Sequence, residues 1–380
     1  QGHPGQDQAG GPGVGAAAGH EVDQDRGQGG PGEGEPEVAV DVGDPQQGDG
    51  QDHGQRGPGV DPQDPGLGQG VAGQASSDPG PVSSVPTGMP EGKGSGQGDD
   101  VFPRTVVHFQ GSTEITTAPT KVVIISTGQL DVALTLGTVP VGSTAGDGAG
   151  LVPDYLAKAF PQHADALGAM KNVGKRTAPS VEEVANLGPD LILMNNAAKD
   201  AATLYASLSA IAPTVATQGT GTYWKQDLLL VADALGKPDT AQTWLDTFHA
   251  DAASAGAAIS GRPTVSLLRR NGDRTRVFGP VSFSGSVLAD MGVARPSSQQ
   301  FTEGVSQDIS AEQLDQADAD WLLYAVQGGK EEELTSMDLW PALKAVSSQH
   351  AVAVDDDPFF LNAGPTAART VLTKVSETVR

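Results

Sequence analysis

The sequence predicts an α/β protein of two similar lobes joined by a long helix and preceded by a disordered tail, and three observations carry that expectation. The stretch VGKRTAPSVEEVANLGPDLILM, Val173 to Met194, returns in large part as ISAEQLDQADADWLLY, Ile309 to Tyr324. Between the copies lies a region with helical periodicity. The first hundred residues hold 28 of the 51 glycines and no Phe, Trp or Tyr.

The repeat is the organising feature. In each copy a Ser (Ser180, Ser310) is followed two residues later by Glu182 or Glu312 and three later by Glu183 or Gln313, the pattern of a capping box. Ten residues past each Ser, Asp190 or Asp320 opens an apolar run, Leu191-Ile192-Leu193 or Trp321-Leu322-Leu323, which reads as a buried strand. Two units of capped helix and parallel strand, 130 residues apart, imply paired lobes, and such lobes enclose a cleft.

Of the net charge of −24, residues 1–100 supply −14, from 3 Lys+Arg against 17 Asp+Glu, leaving −10 for Val101 to Arg380. A segment without aromatic residues buries too little apolar surface to offset the entropy of ordering it, so residues 1–100 are expected to be disordered. The glycines follow no three-residue period, which excludes collagen. The remaining length suits two domains, divided as 101–221, a helical linker over 222–262, and 263–380.

In order, Thr105 to Ile115 reads as a hairpin centred on Gly111, then Val122 to Ser126 as a strand and Gln129 to Leu136 as a helix stopped by Gly137. A short strand at Pro140 to Gly142, the GDGAG loop of Gly146 to Gly150 and a helix over Pro153 to Phe160 follow. Beyond the first repeat come a helix, Tyr205 to Ile211, and the strand Pro213 to Val215. Tyr223 to Leu235 and Asp239 to Ile259 are the linker helices, the second with Trp244, Leu245, Phe248, Ala252, Ala255 and Ile259 on one face. The second lobe opens with strand Thr264 to Arg270, turns at Asn271-Gly272 and returns as Thr275 to Phe278. Ser286 to Met291 is then a helix ended by Gly292.

Several chemistries are excluded or weakened. No apolar run is long enough to span a membrane. The absence of Cys removes disulfides and thiolate chemistry together. An acidic chain with scattered Lys and Arg is a poor partner for nucleic acid. GDGAG lacks the dinucleotide spacing. His108, His163, His249 and His350 show no metal-ligand spacing. No G-x-S-x-G marks a hydrolase, and SFSGS around Ser284 reads as a helix entry.

At this point the residues carry a resemblance. ISTGQLDVALTLGTVPVG, NVGKRTAPSVEEVANLGPDLIL, YASLSAIAPTV, VFGPVSFSGSVLADMGVARP and ISAEQLDQADADWLL together resemble the substrate-binding proteins of ABC importers for ferric siderophores, the branch that includes vitamin B12 and haem binders, most nearly the iron-siderophore binders of actinobacterial type. The resemblance covers Val101 to Arg380. It implies a class III periplasmic binding protein: two Rossmann-like lobes, a rigid joining helix, a shallow cleft and small hinge closure. It implies no catalysis and no cofactor, since the iron arrives chelated, and a monomeric, exported, lipid-anchored protein whose signal and lipobox are not in this chain.

Residue roles are implied in the same way. Glu182 and Glu312 match glutamates that dock on arginines of a membrane permease. Arg176 matches an arginine that donates to iron-ligating oxygens in ferric-hydroxamate binders. A Tyr follows that Arg by 22 residues in those proteins, whereas here Ala198 stands there with Lys199 beside it. Arg269 and Arg276 match arginines of the second lobe, and Tyr223, Trp224, Phe359 and Phe360 are the aromatic candidates for the ligand's organic shell. A ferric hydroxamate such as a ferrioxamine is the expected ligand. Haem, with Tyr223 or Tyr155 as axial ligand, and cobalamin are the alternatives within the fold.

Overall fold

A computed structural model describes residues 85–126, 128–146 and 150–380. These lie within a unit bounded by Pro65 and Arg380, and the other unit, Gln1–Asp64, lies wholly outside the described residues. The first lobe opens with an antiparallel hairpin, β1 (Arg104–His108) and β2 (Gly111–Ile115). There follow β3 (Val122–Ile125), α1 (Gln129–Thr135), β4 (Gly142–Ala145), α2 (Asp154–Ala159), α3 (Ala164–Ala169), β5 (Lys171–Lys175), β6 (Ala178–Pro179), α4 (Val181–Asn186), β7 (Leu191–Asn195), α5 (Ala201–Ser209) and β8 (Thr214–Thr217). The sheet runs β6-β5-β4-β3-β7-β8, parallel except for β6.

Helices α6 (Trp224–Ala234) and α7 (Pro238–Ala257) join it to the second lobe. That lobe contains β9 (Val265–Asn271), β10 (Arg274–Phe278), α8 (Phe283–Asp290), β11 (Ser306–Ile309), a 3₁₀ segment Ala311–Ala317, β12 (Trp321–Gln327), α9 (Glu332–Thr335), α10 (Lys344–Ser347), β13 (Ala351–Ala353), a π-type turn Asp357–Leu361 and α11 (Pro365–Thr378). Its sheet is separate, in the order β11-β10-β9-β12-β13.

Side-chain alternation along the strands explains how the lobes are held. In β3, Val122 and Ile124 enter one apolar cluster while Val123 and Ile125 enter another, and in β7 Leu191 and Leu193 part from Ile192 and Met194 in the same way. In the second lobe Val265, Leu267 and Leu323 join the cluster of Val122 and Ile124, whereas Leu268, Leu322 and Tyr324 face outward to a third. The inner faces of both sheets therefore share one core, filled by Leu228, Leu245, Phe248, Val287 and Val371 from the helices between them. Parting the lobes would expose that core at ~1.5–3 kcal/mol for each such side chain, comparable in total with the ~5–15 kcal/mol that keeps a whole domain folded.

Three helix starts lack a capping side chain of their own and borrow one from a distant carboxylate. Asp99 accepts from the Asp239 amide (2.8 Å) and the Thr240 hydroxyl (2.6 Å) at the start of α7. Asp131 of α1 accepts from the Thr366 and Ala367 amides (2.9 and 3.0 Å) at the start of α11. Asp318 accepts from the Lys344 and Ala345 amides (2.8 and 3.1 Å) at the start of α10. Each satisfies amides that no helical carbonyl can reach.

The expected disordered tail over 1–100 lies outside the described residues as far as Ser84. From Val85 onward the expectation is corrected, because the chain is fastened to α6 and α7. Ser95 donates to Asp233 (2.6 Å), Arg104 pairs with the same carboxylate in a buried ion pair (2.8 Å), and Asp99 makes the cap on α7. Polar anchoring achieves here what apolar content could not.

The repeat is present with one difference. Ser180 accepts from the Glu183 amide (3.2 Å) and starts an α-helix, whereas Ser310 and Gln313 form the reciprocal box but lead into a 3₁₀ segment. That segment ends at Asp318, whose carboxylate is committed to α10. Asp190 and Asp320 play one part in both lobes. The first accepts from the Thr120 and Lys121 amides (both 2.8 Å), the second from the Thr264 amide (2.8 Å), each tying the start of its strand to the chain entering the neighbouring strand. Several boundaries shift: β4 occupies 142–145 rather than 140–142, α5 occupies 201–209 rather than 205–211, β8 runs on to 217, and α8 begins at Phe283 because Ser282 accepts from the Gly285 amide (3.1 Å). In the GDGAG loop, residues 147–149 lie outside the described set.

Candidate functional site

Parallel strands present their carboxyl ends to a ligand crevice, and most of the expected residues sit on the segments that leave those ends. Arg176 is half-buried in the turn between β5 and β6, and Lys199 is exposed beyond β7. Beside Lys199 the loop is polar and well tied: Asn195 donates to Ser126 (2.8 Å), and Asn196 accepts from Gln110. Gln129 donates to the Met194 carbonyl and the Thr217 hydroxyl, both at 2.9 Å, joining the ends of β7 and β8.

In the second lobe Arg276 is directly opposite Arg269 across β9 and β10. Opposed residues of an antiparallel pair project from the same face, so both guanidiniums rise from the face that carries Leu267 and Phe278. Arg269 is not an open fork. Its Nε and Nη2 meet the two oxygens of Asp356 at 2.6 and 2.9 Å, and Nη2 also reaches Gln327 (2.5 Å). Arg276 lies over the Phe278 ring (5.8 Å), which contacts Phe360 (4.8 Å), and Phe360 in turn contacts Phe359 (6.1 Å). The acids are Asp356 and its neighbours; burial raises the Asp357 carboxyl, with Asp355 and Asp356 adding to the effect.

Two aromatic expectations are corrected or narrowed. Trp224 is 2% exposed, donates to Ser286 (3.0 Å) and meets Trp244, Phe248 and Phe283 edge-on, so it belongs to the shared core. Tyr223 ends a 3₁₀ turn, Gly221–Tyr223, and is half-buried. Tyr155, the other tyrosine weighed for haem iron, is buried with its hydroxyl toward Asp131 (3.5 Å), and burial and that acid push it well above its ordinary range. The Tyr155 ring therefore presents no unencumbered axial oxygen to a cleft.

Sequence reasoning missed the loop that enters the linker. Asp227 of α6 accepts from the Gln218 and Gly219 amides (3.1 and 2.9 Å), and burial pushes its carboxyl up to about 7. Next to it Thr222 donates to the Val281 carbonyl (2.9 Å), so this loop touches the second lobe. It also missed Asp356, whose signal was the Asp355-Asp356-Asp357 run before two phenylalanines, and Asn362. Asn362 lines both a cavity of about 90 Å³ walled by Phe278, Phe283, Phe359 and Phe360 and a polar one of about 20 Å³ beside Ser143, Thr144 and Asp131. The two lobes abut closely here: a Cβ on Gly128 would lie 2.3 Å from the Ala363 carbonyl oxygen.

Glu182 and Glu312 are both exposed in the first turn of their segments, and the Ser310 hydroxyl holds the Glu312 carboxyl below its ordinary range. Among the described residues no three His, Cys, Asp or Glu converge as metal ligands, and no helix is long and apolar enough to cross a membrane.

The family model described as Periplasmic binding protein matches residues 122–358. The chain is 32% identical over 289 residues to the probable siderophore-binding lipoprotein YfiY of Bacillus subtilis (strain 168), covering 71% of this chain and 85% of that protein. It is 24% identical over 278 residues to the Fe(3+) dicitrate-binding periplasmic protein FecB of Escherichia coli (strain K12), covering 71% and 88%. The crystal structure of Staphylococcus aureus SirA complexed with staphyloferrin B superposes with a TM-score of 0.63 at 26% identity, over 72% of this chain and 97% of that one.

Proposed function

The chain belongs to the periplasmic binding protein family, and on that premise we propose that it is the extracytoplasmic receptor of an ABC importer, capturing a ferric siderophore between its lobes and handing it to a membrane permease. The observation that carries this reading is the pairing of Arg269 and Arg276 on one sheet face beside the Phe278–Phe360 wall. Guanidinium forks suit the oxygens around a chelated metal, and phenyl faces suit the organic shell. The names of similar proteins, a siderophore-binding lipoprotein and a dicitrate-binding protein, support the same ligand class.

The siderophore brings its iron fully coordinated, so the chain supplies outer hydrogen bonds and no metal ligands. Arg176 and Lys199 approach from the first lobe, Arg276 from the second, with Arg269 held in place by Asp356. Glu182 and Glu312, one on each lobe, are the permease contacts, a fixed pair of charges that arginines can grip. The protein acts as a monomer, anchored through a lipid outside the cytoplasm, and performs no catalysis. A ferric hydroxamate is the favoured ligand.

The test is a tryptophan-quenching titration of the purified chain against ferrioxamine, ferrichrome, ferric citrate, a ferric catecholate, haem and cobalamin. Saturable quenching by a ferric siderophore, strongest with a hydroxamate, is expected. Binding of haem or cobalamin alone would replace this reading with another of the same fold.

A further inference from the structure

Asn362 lines two cavities, one walled by phenylalanines and the other by Ser126, Ser143, Thr144 and Asp131 together with apolar side chains. The residue is 6% exposed, and its amide nitrogen has no acceptor within the protein. On the polar side the Thr144 hydroxyl, 3% exposed, is likewise without a partner. Buried polar groups are nearly always satisfied, and leaving one unmade is costly. A donor kept buried in the wall of an apolar cavity is matched to a ligand that ends an apolar segment with an oxygen.

Size decides which apolar segment. An apolar cavity of ~150 Å³ is what holds a benzene. The cavity here, about 90 Å³ and open at its rim, is smaller than that and adequate for a short run of methylenes. Its rim reaches Val305, which is 36% exposed.

We propose that the phenylalanine-walled cavity seats one aliphatic arm of the ligand, with Asn362 Nδ2 donating to the oxygen at the arm's end. This rests on the receptor reading above and narrows it: chelates whose oxygens are linked by methylene spacers fit, and those built on aryl arms do not.

The full chain is titrated with ferrioxamine B, ferric citrate and a ferric tris-catecholate by tryptophan quenching. Asn362→Leu is expected to weaken ferrioxamine B three- to tenfold, the loss of one neutral hydrogen bond, while ferric citrate is unchanged and the melting temperature is equal or higher. Val305→Phe, at the exposed mouth, should weaken the same complex at least as much, and it decides the matter if the Asn362 variant does not fold. Unchanged ferrioxamine B affinity in the folded variants overturns the arm site and leaves the receptor reading standing, as would an equal loss for all three complexes. A wild-type chain that binds ferric citrate but not ferrioxamine B also overturns it. Failure of the wild type to bind any ferric complex removes the receptor reading and this inference with it.

Discussion

Arg269 and Asp356 meet through two contacts, Nε to Oδ1 at 2.6 Å and Nη2 to Oδ2 at 2.9 Å, with the arginine side chain only 6% exposed. The pair orients a guanidinium beside Arg276 and the phenylalanine wall. Removing one partner of such a pair strands the other. Asp356→Ala should therefore cost ~3 kcal/mol of stability, measured by urea denaturation, and Arg269→Ala should lower both stability and siderophore affinity. A loss of stability with the dissociation constant unaltered would assign Arg269 to the architecture alone.

Arg176 lies in a surface turn and is half-buried. Arg176→Ala should leave the melting temperature in place while weakening ferrioxamine binding by ~1.5–3 kcal/mol, the range for a charge-assisted hydrogen bond. Quenching curves that superpose on the wild type would take Arg176 out of the site.

Glu182 and Glu312 are exposed, one at the start of a helical segment in each lobe. The double variant Glu182→Ala with Glu312→Ala should bind ligand normally yet abolish uptake of radiolabelled ferric siderophore in cells. Wild-type transport by that variant would rule out the docking role.

Two buried groups set opposite pH slopes. His108 is neutral: its Nδ1 accepts from the Gln110 amide (3.2 Å), its Nε2 faces Thr113 (2.9 Å), and burial lowers it from 6.5 to about 4, with Lys93 adding to the effect. Between those values the unfolded chain binds more protons, so this group makes stability rise from pH ~4 to ~6.5. Asp227 is raised from 3.8 to about 7, so the folded chain holds the extra proton and stability falls as pH rises through that window. Relative to wild type, His108→Gln should flatten the acid-side rise and Asp227→Asn should steepen it, each by on the order of 1–3 kcal/mol across the window. Denaturation series at pH 4.5, 5.5, 6.5 and 7.5 would show it, and parallel curves for all three proteins would refute it.

The repeat made the lobes legible, since a capped start, an Asp and an apolar strand are local patterns and both copies fold as such. What stayed hidden depended on distance along the chain. Trp224, at a helix start next to a loop, reads alike whether it faces a cleft or a core, and only Trp244, Phe248, Phe283 and Ser286 from other helices decide it. Asp131 caps a helix whose first turn lies 235 residues later, and no local pattern announces that. Residues 85–100 looked tail-like because their anchoring includes hydrogen bonds to Asp233 and to the start of α7, which composition does not register.

A single core filled from both sheets makes the molecule behave as a ruler. Glu182 and Glu312 ride on lobes whose sheets both pack into that core, so, on the docking role proposed for them, empty and loaded molecules would offer a transporter almost the same two-point grip. Unloaded receptor should then compete with loaded receptor for the same gate, and the rate of iron entry would depend on the fraction filled as well as on the amount present.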